Sequence, residues 1–246
     1  KGGTGKSFIA ANMGALFADK GLLTGIIEVN RQHSSIANTL NINTPKGKSL
    51  RNSIYTDDEK GILQNFHENS RNYKDLFLLG LNPCDKVDDL HMVNKESITR
   101  LYDYSKEKFN ILIIDMPSSY IEYTSYLGWF FVDELIIVVD NDINSIYALR
   151  KYITQFVELN INLEKITLVV NKNIGYLDKK VIETLTGLKV FAVIPFSKNI
   201  IGDMNDGKTI FQAAGTPKDW RIRKELKKLC RYLLGETTDG LRTLGA

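Results

Sequence analysis

Lys1-Gly2-Gly3-Thr4-Gly5-Lys6-Ser7 is the run whose letters come closest to dictating a chemistry. Glycines at 2, 3 and 5 admit positive φ, which lets successive backbone N–H groups converge on an anion, while Lys6 and Ser7 open a helix whose N-terminal dipole favours negative charge. In a loop of this kind the lysine at position 6 reaches the β and γ phosphates and the hydroxyl of Ser7 holds Mg²⁺. A flexible glycine turn ahead of an ordinary helix is the plainer alternative. It is disfavoured because Gly-Lys-Ser runs straight into a helical pattern, the context the motif demands. The full pattern G-x-x-x-x-G-K-[ST] wants a glycine just before Lys1 and a strand before that. The numbered chain is therefore expected to start inside its first βα unit, without its first strand or any N-terminal domain.

Downstream of the loop, Ile9, Met13, Leu16 and Phe17 recur at helical spacing from Ser7 to Lys20, and Lys20-Gly21 supplies a stop signal. Leu22 to Val29 reads as a buried parallel strand, with Asn30-Arg31-Gln32 at its carboxyl end, where ligands of open α/β sheets gather. Ser34 to Leu40 and Leu50 to Tyr55 read as short helices, Asn43 to Gly47 as a turn, and Asp57 to Ser70 is polar and ambiguous. Leu76 to Leu81 is the next strand, and Asn94 to Lys108 a helix with Ile98, Leu101 and Tyr102 on one face.

Phe109-Asn-Ile-Leu-Ile-Ile-Asp115 places four consecutive aliphatics before a carboxylate. An aspartate that ends a strand beside a phosphate loop can hold Mg²⁺ through water, although such a residue on its own is usually a cap or turn. Further strands follow at Leu135 to Val139, Ile166 to Val170 (running into Asn171-Lys172-Asn173) and Val190 to Ile194, which Pro195 closes. Helices are expected at Ser145 to Asn160, near Asp178 to Leu185, and at Trp220 to Leu234, with a turn at Asn205-Asp206-Gly207-Lys208. Alternating apolar runs and helical stretches predict βαβ units: an α/β, doubly wound, mainly parallel sheet with helices on both faces, in one domain spanning 1–246.

At 246 residues the chain has ample length for one core, and 43% hydrophobic with 25% charged residues is the balance of a soluble globular protein. A formal net charge of +3 is too small to argue for nucleic acid by itself. Cys84 and Cys230 lie far apart and suit a reducing cytoplasm, with a single disulfide left open. The longest apolar run, around Tyr126 to Val139, is broken by Asp133-Glu134, so no transmembrane segment is expected; no signal peptide is visible. His33, His67 and His91 lack metal-ligand spacing.

Lys1 is a second lysine at the head of the loop, and KGGTGKS resembles the deviant Walker A motif of the MinD/ParA superfamily of P-loop ATPases. The loop, the Asp115-Met116-Pro117 triplet (D-x-P), the Asp133-Glu134 strand, the Asn-ended strand and the Ile194-Pro195 turn occur in that family's order, over nearly the whole chain. The resemblance implies ATP and Mg²⁺ held by Lys1, Gly2, Gly3, Thr4, Gly5, Lys6, Ser7 and Phe8, with Ser7 and Asp115 serving the metal. It implies Asn171 and Pro195 at the base, although a turn asparagine is an equal reading of Asn171. It also implies a homodimer through an ATP sandwich, in which Lys1 acts on the partner's nucleotide and Lys1, Lys6, Asn30 and Asp115 form the catalytic set.

Within the superfamily the segment from Gln32 to Ile42, the Leu78 to Pro83 stretch, and Ile194-Pro195 running into Asn205 to Lys208 resemble the CpaE/TadZ branch. That branch places pilus or secretion machinery, and the resemblance implies a cytoplasmic protein concentrated at a pole or membrane through a protein partner. One departure matters. The family's D-x-D after the second strand is Glu28-Val29-Asn30 here, and an amide cannot take the proton or supply the negative charge of the water-orienting aspartate. Slow or lost hydrolysis is expected, either as a natural ATP-bound switch or scaffold, or because the residue was introduced to trap nucleotide. The basic terminal helix (Arg221, Arg223, Lys224, Lys227, Lys228, Arg231) reads as the last helix of the fold with solvated charges. A membrane surface or DNA, as in a partition ATPase, is the alternative for it.

Overall fold

β1 (Thr24–Glu28) is buried along its whole length, and its successive side chains feed two different cores. In the structure, a computed structural model describing residues 2–29, 35–69, 72–82, 85, 94–118, 123–213 and 215–236, β1 is the second-to-last strand of a four-stranded sheet ordered β2-β3-β1-β4. β3 (Leu76–Leu79) and β4 (Ile111–Asp115) flank it in parallel, and the short β2 (His67–Glu68) pairs antiparallel with β3.

Side chains of a strand alternate between faces. Ile26, Leu76, Leu78 and Ile113 accordingly pack with Ala10, Ala11, Ala15 and Ala18 of α1 (Lys6–Asp19) and Ile36 of α2 (Ser35–Thr39). Ile27, Phe77, Leu79, Leu112 and Ile114 pack on the other face, with α3 (Leu50–Ile54), α4 (Glu59–Leu63) and α5 (Lys95–Lys108). Helix α1 is buried at every residue from Phe8 to Ala18, as a helix apolar all round must be. It stops where Lys20-Gly21 predicts: Gly21 takes φ 77° and its N–H bonds the Ala18 carbonyl.

The chain divides into two compact units. The sheet just described belongs to one, made of the described residues within 6–131 and 201–213, which also holds α6 (Tyr123–Phe131) and α9 (Asn199–Asn205) from Ile201 on. The other, within 1–5, 132–200 and 214–246, has its own parallel sheet β5-β6-β7, made of Leu135–Asp140, Ile166–Asn173 and Val190–Pro195. Its core joins Ile137, Val139, Leu168, Val170 and Val190 to Ile146 and Leu149 of α7 (Ile143–Glu158) and Ile182 of α8 (Lys179–Thr186). Helix α10 (Pro217–Leu233) packs on β7, burying Ile222, Leu226, Leu229 and Cys230. The expected α/β class, mostly parallel with helices on both sides, is the observed one.

Two differences have physical causes. Asp142 caps α7 by accepting from the Ser145 N–H at 3.0 Å, so the helix starts ahead of Ser145. Helices α6 and α9 escape the sequence pattern. The first is the front half of the Tyr126 to Val139 apolar run, and the second buries none of its side chains, so it carries no stripe to read.

Candidate functional site

The glycine loop is fastened from the end of β6. Gly3 and Gly5 take φ 76° and 92°, as the sequence requires, and Gly2 and Gly3 are exposed. Thr4 between them is 1% exposed. Asn171 Nδ2 donates to the Thr4 carbonyl at 2.8 Å, and the Lys172 ammonium donates to the Gly3 carbonyl. A Cβ on Gly5 would stand 2.2 Å from Asn171 Nδ2, so only glycine admits both the turn and the amide. Thr4 Oγ1 is buried with no hydrogen-bond partner among the described residues.

Lys6 and Ser7 open α1, as expected, and Ser7 Oγ donates to Asp115 Oδ2 at 2.6 Å. Thus the two residues proposed from sequence for one metal ion are in direct contact. Asp115 is 6% exposed. Burial raises its pKa from the ordinary 3.8 to about 6; the Ser7 hydrogen bond opposes this, the charge of Glu28 adds to it, and that of Lys6 subtracts. Phe8 points into the protein, 7% exposed, so its side chain is core and only its backbone is available to a ligand. Its carbonyl accepts from buried Asn12 Nδ2 at 2.8 Å, and Asn12 Oδ1 in turn accepts from the Ile210 N–H at 2.9 Å. Lys1 and Asn30 lie outside the described residues.

Two further residues do structural work beside these. Glu28, fully buried, accepts from the Ser35 N–H (2.7 Å), Ser35 Oγ (3.0 Å) and the Ile36 N–H (3.2 Å), satisfying orphan donors at the start of α2. Its place in the Glu28-Val29-Asn30 triplet is legible in the sequence, but its bond to Ser35 is signalled only by a serine at a helix start seven residues later. Asn141 accepts from the Tyr176 and Leu177 N–H groups at 2.8 and 2.9 Å and donates to the Leu177 carbonyl, fixing the loop that leaves β6. Pro195 ends β7, half-buried and in register with Asn173.

Ser7 and Asp115 fit Mg²⁺. A hydroxyl and a carboxylate converging at 2.6 Å are hard oxygen donors, few in number, which suits an ion that keeps several waters and completes its shell with phosphate. No group of three or more His, Cys, Asp or Glu that would hold a metal by itself occurs among the described residues. Residues 1–210 match the family model CbiA, described as the CobQ/CobB/MinD/ParA nucleotide binding domain. The chain belongs to this family.

The family's fold recurs in solved structures. In the MinC:MinD cell division protein complex of Aquifex aeolicus the match has a TM-score of 0.80 at 18% identity, covering 98% of this chain and 96% of that one. For the ParA family ATPase of Chlorobium tepidum TLS the figures are 0.78 and 17%, with 94% and 95% covered. For the septum site-determining protein MinD complexed with Mg-ADP from Pyrococcus horikoshii OT3 they are 0.76 and 14%, with 95% and 92% covered. A comparison with curated proteins finds no match.

The matched nucleotide binding segment takes in the loop, Asp115, Asn171 and Pro195, whereas α10 lies beyond it. That helix buries its apolar stripe as the periodicity predicts. Thr216 and Asp219 form a capping box at its start, Trp220 stands 60% exposed, and the Lys224 ammonium lies 5.6 Å from the indole centroid. No helix among the described residues is long and apolar enough to cross a membrane.

Proposed function

We propose that this chain is an ATP-dependent molecular switch that positions or recruits a cellular assembly, residues 1–246 working as one nucleotide-binding domain. The observation that carries the reading is the contact of Ser7 with buried Asp115 directly after a glycine loop with the required positive φ values. Gly2, Gly3, Thr4, Gly5 and the Phe8 backbone offer N–H groups to the phosphates, and Lys6 supplies charge. Ser7 holds Mg²⁺, and Asp115 orients its water shell. Bound Mg²⁺ would neutralise charge developing on the phosphates. Asn171 commits its amide N–H to Thr4, which leaves its oxygen as the acceptor for the amino group of adenine, with Pro195 against the base. Lys1 acts on the nucleotide of a second copy, so that ATP closes a homodimer.

Asn30 in the water-orienting position makes turnover slow, and the ATP-bound dimer is the persistent state. Within the family the chain falls in the CpaE/TadZ branch, a cytoplasmic protein held at a pole or membrane by a protein of a pilus or secretion assembly. Recruitment of a protein is in keeping with the MinC:MinD complex among the similar structures. Sedimentation with and without Mg-ATP, paired with turnover of wild type and Asn30→Asp, tests the reading. A dimer only with ATP, lost in Lys1→Ala, and faster turnover in Asn30→Asp are expected; equal turnover in the two proteins removes Asn30 from that position. A partition ATPase acting on DNA is the second reading, favoured by the outward basic face of α10 beside exposed Trp220. Salt-dependent retention of the ATP form on nonspecific DNA would select it.

A further inference from the structure

In a regular strand Asn171 and Lys172 would point to opposite faces, yet both reach the glycine loop. The cause is a bulge. β6 advances three residues from Val170 to Asn173 while β7 advances two from Val193 to Pro195, and Lys172 sits in the extra position at φ 51°, a left-handed conformation that costs a side-chain-bearing residue energy. Asp140, paired in register with Asn171, stands 3.9 Å from the Lys172 ammonium and holds it on the loop side.

We infer that Lys172 is a positioning residue for the phosphate cradle: together with Asn171 it clamps the peptide planes of the glycine loop in the orientation that presents their N–H groups to a polyphosphate. The peptide unit is planar and trans, so a pinned carbonyl fixes the N–H of the next residue on the opposite side. Lys172 pins the Gly3 carbonyl and with it the Thr4 N–H; Asn171 pins the Thr4 carbonyl and with it the Gly5 N–H. Two neighbouring side chains thereby set two successive donors facing away from β6. The bulge is what allows a single strand end to do this, and the backbone cost at Lys172 is met by the bond and ion pair it makes there.

This inference rests on the nucleotide reading above, and its test separates the two. Mg-ADP binding to the full chain is measured by calorimetry for wild type, Lys172→Met and Lys172→Arg, with Thr4 and Gly5 amide exchange followed by NMR. Lys172→Met is expected to weaken Mg-ADP about tenfold, as loss of a charge-assisted hydrogen bond does. It should speed exchange at Thr4 and Gly5 while leaving Val169 inside β6 unchanged. Lys172→Arg, which keeps charge and donors, should bind within about threefold of wild type. Equal binding by wild type and Lys172→Met overturns the inference, as does a Lys172→Arg variant as weak as Lys172→Met. Should wild type bind no nucleotide, the nucleotide reading fails, and Thr4 and Gly5 exchange alone then decides whether Lys172 clamps the loop.

Discussion

Glu28 and Asp115 end neighbouring strands in the same register, both with little or no exposure, and the fold bonds them differently. Two backbone N–H groups and a hydroxyl converge on the Glu28 carboxylate, which ties it to the start of α2. Asp115 receives, among the described residues, a side-chain hydrogen bond from Ser7 and is pushed toward its neutral form by burial. On the metal role proposed above, an acid with fewer donors on its oxygens is the better candidate to exchange a proton for a cation. Burial alone does not separate the two; the count of donors on the oxygens does.

Removing Glu28 should be the most damaging way to test that contrast. Glu28→Ala strips a buried hydrogen-bonded charge and orphans the Ser35 and Ile36 amides, an expected loss of about 4 kcal/mol in urea unfolding. A loss below about 1 kcal/mol would show that α2 does not depend on it.

The next largest effect is a pH dependence set by Asp115. Its folded pKa of about 6 exceeds the ordinary 3.8, so the folded state holds the proton over that interval more tightly than the unfolded chain. The sign is then fixed: this group's contribution is fully present below pH 3.8 and is lost as pH rises through 6. The ligand-free protein should lose about 3 kcal/mol from it between pH 2 and pH 7, at 1.36 kcal/mol per unit. Unfolding curves across that range for wild type and Asp115→Asn should diverge at low pH and run parallel above pH 7. Identical slopes would show that Asp115 keeps an ordinary acidity.

Smaller effects concern the metal. Asp115→Ala should weaken ATP about thirtyfold in Mg²⁺ and far less in EDTA, while Ser7→Ala, losing one ligand, should do so about tenfold. Titrations of each variant with and without Mg²⁺ measure this. Equal losses in both buffers would assign the pair to packing rather than to the ion.

Much of this arrangement was readable from the letters because its determinants are local. The loop, the stop at Lys20-Gly21 and the aliphatic run into Asp115 each carry their own signal over a few residues, and the structure places Ser7 and Asp115 together as that pattern expects. What escaped carries no periodic signal. The bracing of Tyr176 and Leu177 by Asn141 and the left-handed turn at Lys172 exist only once strands are in register, and the capture of Ser35 by Glu28, though only seven residues apart, exists only once α2 starts beside the end of β1. Asn171 illustrates the limit: its position at a strand end was legible, but its bond to Thr4 follows from the approach of the loop, which no periodicity reports.

The 2.2 Å that separates a would-be Cβ on Gly5 from Asn171 Nδ2 also limits how this protein can change by mutation. A larger residue at 5 meets that amide and also a backbone at φ 92°, which strains any side chain whatever stands at 171, while a smaller residue at 171 releases the Thr4 carbonyl without freeing position 5. Position 171 can therefore vary only against a fixed glycine, and libraries that randomise the two, singly or jointly, will return glycine at 5.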